Sequence, residues 1–424
     1  METFKTLFLI MSAAALFSCA AKKSKIITLN YMNPESSPNQ LVIMQKIISR
    51  FEKTHPGIKI NVITGVRTEK IYSTIASGSG LDVFYGYENI LDYYERNAII
   101  SLNPYIEKFG FNQDEYFPIS IQMVSKNHKI LGLPIQLKTD CIGYNKTLLE
   151  KSGLPLPPLS WHMDEFENYI KKLYAAQKAN ADKYNKIYPI TGIPMPRHIM
   201  TPQIIDEISG KLNTSEKIKK ELLAKLIQEQ RIWSYLPPRT ETRELASTAG
   251  ASGTTAIFSM QRAFLQYAPA WTLIDLGKIR DFDWDVTEGI YWKDNEIVPV
   301  SDAYLSIAAI SKYPEIAYKF IKFYASQSGA GYFAASKNGM SAHIASTKKF
   351  FIAPPANINT YITIVETRKM LNTRPPLKNW IQFQKTFEGT SYGEEFYTGK
   401  VSAQKYMEEY YKTSSGILEP FIRE

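Results

Sequence analysis

Cysteine is nearly missing from this chain. Two occur in 424 residues, Cys19 and Cys141. Cys19 ends an apolar N-terminal run, so Cys141 has no internal partner and stability must come from buried apolar cores. No His or Cys stands at metal-ligand spacing from Cys141, which lies in an apolar strand pattern and reads as a buried, inert thiol. Histidine is sparse too. His55, His128, His162, His198 and His343 are dispersed, with no His-Glu-x-x-His and no Gly-x-Ser-x-Gly. The glycines of 250–253 lack the Gly-Lys-Ser/Thr ending of a phosphate cradle. These absences argue against metal, nucleophilic and nucleotide chemistry, and the reading is of a non-enzyme without cofactor or metal. The formal charge is +9, yet no long basic run carries it. Lys219-Lys220 and Lys348-Lys349 read as solvated faces, and no nucleic-acid reader motif is present.

Aromatic residues are plentiful, with 27 Tyr and 21 Phe, and 44% of residues are hydrophobic. The length suggests two or three lobes, each with its own core. At the N-terminus a weakly basic start (Lys5) precedes an apolar run, 7–17, too short to span a bilayer, and then Ser18-Cys19. That pattern reads as a secretory signal over 1–18. Leu16-Phe17-Ser18-Cys19 resembles a bacterial lipobox, which implies lipidation of Cys19 and a polar tether over 19–25. Glu2 keeps open an ordinary signal with an incidental cysteine. The expectation is an exported protein, lipid-anchored, with anionic headgroups near the tether as a partner.

Periodicity sets the expected elements. Residues 26–31 form a strand, then Leu41, Met44, Ile47, Ile48 and Phe51 mark one helix face, and Ile58, Ile60 and Val62 alternate as a second strand. That unit opens an α/β sheet. A strand is expected at 81–85, then helices at 69–76, 89–97, 164–178, 216–232 and 315–325, and strands at 187–193, 254–258 and 305–310. Residues 130–135 and 141–145 read as two strands joined end to end by a polar crossing, with 137–140 as an interlobe hinge. Further crossings are expected near 299–302 and 346–351.

The stretch 130–161 also carries a resemblance. Gly132-Leu133-Pro134, Tyr144-Asn145-Lys146, a Leu-rich helix, Gly153-Leu154, Pro157-Pro158 and Trp161 before Asp164-Glu165-Phe166 follow one another in an order similar to that of solute-binding proteins of bacterial ABC importers. The sugar-binding group that includes maltose-binding proteins is the nearest likeness. Phe51-Glu52 with His55-Pro56-Gly57-Ile58, Asp82-Val83-Phe84, and Glu315-x-Ala317-x-x-Phe320-Ile321 resemble further family segments. Asn338-Gly339-Met340-Ser341 departs from the family's Gly-x-Pro-Ala, and the region of Phe264 and Trp271 departs too. The resemblance implies a periplasmic-binding-protein-like fold of two α/β lobes joined by three crossings. Lobe 1 would hold 26–138 and 302–347, and lobe 2 would hold 139–301 and 348–424. It implies a monomer that captures a carbohydrate by hinge closure and delivers it to permease subunits, with no ATP site of its own. A polyamine, peptide or metal chelate in the same cleft, or a glycan-active enzyme, stays open.

In an open α/β sheet, ligands bind beyond the carboxyl ends of strands. That rule selects Tyr31, Asn33 and Glu35 after the first strand. Tyr85, Tyr87 and Glu88 follow the 81–85 strand, and Gln136, Lys138 and Asp140 lie at the hinge. Asp302 and Tyr304 belong to the second crossing. Phe264, Trp271, Trp292 and Trp380 are expected from lobe 2. Sugar rings pack their C–H patches on aromatic faces while carboxylates and amides take the hydroxyls. Trp161 reads instead as the anchor of a helix start, and Trp233 and Trp284 as core. Trp271, Trp380 and Tyr85 stand evenly between ligand and core, and Glu35 and Asp140 evenly between ligand and solvated charge. Asp283 and Asp285 flank Trp284 and read as a solvated strand end. Tyr410-Tyr411 point about 100° apart on a helix, which disfavours shared metal ligation.

Overall fold

The computed structural model describes residues 26–36, 38–87, 89–179, 186–192, 212–238, 240–244, 255–291, 297–372, 377–387 and 392–420. The signal segment, Cys19, the tether, Glu88 and Trp292 lie outside them.

Two sheets organise the chain. The first contains β1 (Ile27–Asn33), β2 (Ile58–Thr64), β3 (Val83–Gly86), β4 (Leu133–Lys138), β9 (Ile297–Ile307) and β10 (Met340–Ser341). Their order is β10-β4-β9-β3-β1-β2, with β11 (Lys369–Asn372) paired to the start of β9. The second contains β5 (Asp140–Asn145), β6 (Tyr188–Thr191), β7 (Ala263–Pro269) and β8 (Trp284–Glu288), ordered β8-β5-β7-β6. β1 lies parallel to both β2 and β3, and it is buried on both faces because helices cover both sides. One cover is the helix Pro38–Thr54, whose Met44, Ile47, Ile48 and Phe51 all face inward. Burying each such side chain stabilises by roughly 1.5–3 kcal/mol. They join Leu29, Tyr31, Val83 and Tyr85 and the helix Pro314–Ala325 in one core. The opposite face packs Met32, Phe84 and Tyr304 against Ile71, Ile90 and Tyr93. The second sheet has its own core around Trp161, Phe166, Trp233, Phe264 and Trp380.

The crossings are tight. β4 ends at Lys138, β5 begins at Asp140, and Thr139 alone separates the two sheets. The Thr139 carbonyl accepts from Ala270 N at 3.0 Å, which ties it to the second sheet. β9 passes beside it without a break. Its first four residues pair with β11, and Ser301, Asp302 and Ala303 pair with Lys138, Leu137 and Gln136. A third core cluster straddles this region, uniting Leu137 and Met340 with Cys141, Ala268, Val300 and Tyr361. Cys141 is fully buried, and burial pushes its thiol pKa well above the ordinary value.

Two expected elements differ. Of the run at 254–258, the described residues 255–258 are not a strand; Ala256–Ser259 is a short helix, and the strand is β7, beginning at Ala263. A short buried apolar run has no period that separates the two forms. Residues 346–351 lie largely in the helix Ile344–Phe350 rather than in an extended crossing. No helix among the described residues is long and apolar enough to cross a membrane.

The second lobe's helices are tied by a buried carboxylate. Glu167, in the helix Met163–Ala179, is 5% exposed. It accepts from Arg231 Nε at 3.1 Å and Nη2 at 3.2 Å, from Gln228 at 2.8 Å and from Lys171 at 2.9 Å. Burial alone would raise its pKa, but these donors overcome it and hold the carboxyl at about 2. A depressed pKa contributes stability above the ordinary carboxylate value of 4.5 and loses it as the pH falls toward 2. Arg231 and Lys171 are half exposed, so solvent screens part of the effect. Glu167→Gln should therefore cost about 1–2 kcal/mol at neutral pH, with a smaller gap from the parent at pH 3. Urea unfolding at both values checks this, and a gap that grows in acid contradicts it.

Candidate functional site

The geometry of the first sheet gathers its polar residues at one edge. β1, β3 and β4 all point their carboxyl ends the same way, and β9 runs opposite, so its early residues arrive there too. In the second sheet, β5 begins where β7 ends, with Asp140 opposite Pro269 and Cys141 opposite Glu288. Both edges therefore meet at Thr139.

On the first lobe this edge has two layers. The inner layer is buried. Asn33 Nδ2 donates to Tyr31 Oη at 2.7 Å, and Asn33 Oδ1 accepts from Glu35 N at 2.9 Å. Tyr85 Oη donates to Gln136 Oε1 at 3.1 Å, and Gln136 Nε2 donates to the Asn338 carbonyl. Asn338 Oδ1 in turn accepts from Gln40 at 2.7 Å. The Tyr31 ring meets Phe320 edge-on at 5.5 Å and Tyr324 at 6.5 Å. Burial, with Tyr324 and Tyr85 beside it, pushes the Tyr31 phenol pKa far up, so it stays neutral. Hydrogen-bonded polar groups of this kind fix side-chain directions, because each would lose several kcal/mol of solvation if left unpaired.

The outer layer is half-exposed: Glu35, Tyr87 and Lys138. The Lys138 ammonium sits 5.8 Å from the centre of the Tyr87 ring. Burial raises the Glu35 pKa, and the nearby Lys138 charge opposes that rise. Across the crossing, Asp140 is half-buried at the start of β5. Trp271 is half-buried in the turn Ala270–Thr272 that follows β7, held by Thr272 Oγ1 donating to the Pro269 carbonyl at 2.8 Å. Arg368 pairs with Glu288 at 2.8 Å and lies 4.9 Å from the Tyr291 ring centre.

The expected site residues thus separate into groups. Glu35, Asp140 and Trp271 stand partly open at the edges. Tyr31, Asn33 and Tyr85 form the buried layer beneath. Asp302 is buried in β9, and the buried Tyr304 turns to the opposite face, its ring under Gly86. Phe264 and Trp380 are packed into the second lobe's apolar core rather than presented at an edge. Trp161, read as the anchor of a helix start, is buried in that core just ahead of the helix Met163–Ala179, its Nε1 donating to the Glu288 carbonyl at 3.2 Å. Sequence reasoning missed Tyr324, which reads only as an inward helix position, and the support role of Asn338. Among the described residues no group of three His, Cys, Asp or Glu could hold a metal.

Gly339 shows how closely the inner layer is fitted. Its φ is +100°, and an added Cβ would lie 1.9 Å from Gln136 Nε2. Gly339→Ala should cost roughly 1–3 kcal/mol and displace Gln136 from Tyr85. Gly393→Ala, in open space on the helix Tyr392–Tyr397, should be neutral or slightly stabilising. Chemical unfolding of both variants measures the contrast, and equal effects contradict it.

Comparison with known proteins adds a family match over part of the chain and a fold over nearly all of it. Residues 36–191 match the family model of bacterial extracellular solute-binding proteins. The chain is 23% identical over 209 residues to an Escherichia coli (strain K12) protein named as an ABC transporter periplasmic-binding protein, YcjN. That match takes in 47% of this chain and 45% of YcjN, so it spans less than half of the relative's length. Solved structures align far more fully. The ABC substrate-binding protein Lmo0181 of Listeria monocytogenes, in complex with cycloalternan, has a TM-score of 0.74 at 18% identity, over 92% of this chain and 98% of that one. Maltose-bound MalE3 of T. maritima scores 0.72 at 17%, over 92% and 99%. UgpB of Mycobacterium tuberculosis, in complex with glycerophosphocholine, scores 0.72 at 14%, over 91% and 97%. At these identities the structural likeness establishes a shared fold.

Proposed function

From a chain with the fold of the bacterial extracellular solute-binding proteins along nearly its whole length, and their family match over residues 36–191, we propose a ligand-capturing component of an ABC importer that binds a mono- or oligosaccharide between its lobes. The observation that carries this reading is the meeting of two partly open polar and aromatic edges at one crossing. One edge offers Glu35, Tyr87 and Lys138, and the other offers Asp140 and Trp271. A flat indole with carboxylate, ammonium and phenol groups around it suits a sugar, whose faces are apolar and whose rim is hydroxylated. Neighbours of the same fold hold cycloalternan and maltose, which favours this class, and the glycerophosphocholine of UgpB marks the chief alternative chemistry.

Lobe 1 then comprises 26–138 and 302–347, and lobe 2 comprises 139–301 and 348–424. Rotation about Thr139 and the β9 passage closes the cleft, and ligand favours the closed form by touching both lobes. The closed chain passes its ligand to permease subunits. Export with lipidation at Cys19 would keep it at the membrane surface as a monomer.

A thermal-shift panel on residues 20–424 tests the reading, using mono- and oligosaccharides, polyamines, peptides, glycerophosphodiesters and metal chelates. A true ligand at 100 times its Kd should add about 2.7 kcal/mol, a rise of a few degrees. A saccharide hit that is lost in Trp271→Ala is the expected result. A hit confined to another class overturns the sugar assignment, and turnover of a glycan overturns the transport reading.

A further inference from the structure

A single second-lobe helix, Trp380–Phe387, touches the first lobe twice. The N–H of Ile381 donates to Asp92 Oδ2 at 3.2 Å in a buried contact. One turn on, Lys385 pairs with Glu69 at 2.5 Å. Ile381 and Lys385 are four apart and so share a helix face. Their partners also form one unit. Glu69 lies on the helix Thr68–Ala76 and Asp92 on the helix Ile90–Glu95, and these two are fastened together by Tyr72 stacked on Tyr93 at 4.7 Å.

The Asp92 contact is chemically specific. Ile381 is in the first turn of its helix, where backbone N–H groups have no acceptor within the helix. A carboxylate there completes the hydrogen bonding and meets the positive end of the helix dipole. Asp92 is only 4% exposed, and a carboxylate removed from water needs such partners. Ordinarily a helix supplies its own capping residue. Here the carboxylate comes from the other lobe, so the bond exists only while the lobes are together. Both contacts span the two lobes, and in the hinge-closing reading proposed above both are lost when the cleft opens.

We infer that Asp92 and Glu69 of the first lobe clasp the helix Trp380–Phe387 of the second, holding the cleft partly closed before any ligand arrives. The clasp lies on residues that the sugar-contact reading does not use, and it acts on affinity through the closed population. A ligand that needs the closed form binds with an apparent Kd equal to its intrinsic value divided by the closed fraction. Raising that fraction tightens binding without adding a ligand contact.

The test needs no ligand. Spin labels on Ser79→Cys and Thr386→Cys, both exposed, report the distance between the lobes in residues 20–424, while the buried Cys141 stays unlabelled. Double electron–electron resonance on the ligand-free chain should show a short-distance population. Asp92→Ala should lower the closed-to-open ratio about ten-fold, as expected for loss of a charge-assisted helix cap. Glu69→Lys, on an exposed side chain that folding does not require, should lower it about two-fold. Glu69→Lys with Lys385→Glu should restore it. If Asp92→Ala does not fold, Asp92→Asn takes its place, with a smaller shift in the same direction. A ligand-free distance distribution that is unchanged by the Asp92 variant overturns the clasp, as does the absence of any short-distance population in the parent.

Discussion

The whole arrangement depends on how little chain separates the two sheets. Thr139 is the only residue between a strand of one and a strand of the other. β9 runs alongside, hydrogen-bonded to Lys138 and Leu137 just before that point. Such a junction has few soft dihedrals. In the proposed closure it would let the lobes turn about a narrow line while each sheet keeps its ladder intact. It also places the ends of many strands at one seam, where polar residues can be exposed without interrupting a core. The buried cluster of Leu137, Met340, Cys141, Val300 and Tyr361 packs beneath the seam and steadies it.

The chemistry of the seam follows from its layers. Tyr31, Asn33, Tyr85 and Gln136 are satisfied by one another and by the backbone. They fix the directions of the groups above them. Glu35, Tyr87 and Lys138 are then left half-open, as are Asp140 and Trp271 across the crossing. A preorganised face of this kind loses little conformational entropy when a ligand arrives. In the proposed function closure brings the second face to it, and the inferred clasp of Asp92 and Glu69 on the far helix would lower the cost of that motion.

Much of the fold was legible in the residues. The helix Pro38–Thr54 announced itself by its apolar spacing, β1 by a short apolar run and β2 by the alternation of Ile58, Ile60 and Val62. The end-to-end strands around residue 139 could be read because no turn residues lie between them. The run at 254–258 misled because a few buried apolar residues have no measurable period. Site residues were harder. Position relative to a strand end pointed to Glu35 and Asp140, which lie partly open at the edges, and Trp271, expected by type, is partly open there too. It could not tell that Tyr31 and Tyr85 lie a layer below, since alternation along a strand does not reveal the depth of the helix packed on it. Phe264 and Trp380 were expected at the ligand by type, yet their packing partners, such as Phe383, are remote in sequence or sit on faces that the sequence does not orient. Asp92 gave no signal at all, because the helix that it caps begins almost three hundred residues later.

Capture of a saccharide between the lobes is tested most directly by hydrogen–deuterium exchange of residues 20–424 with and without a saturating saccharide. Amides at 33, 35, 36 and 136–138 report the first lobe, and those at 140, 268 and 270–272 report the second. The account predicts protection of both sets together, strongest on either side of Thr139. Protection of one lobe alone, or of neither while the sugar is bound, would contradict it.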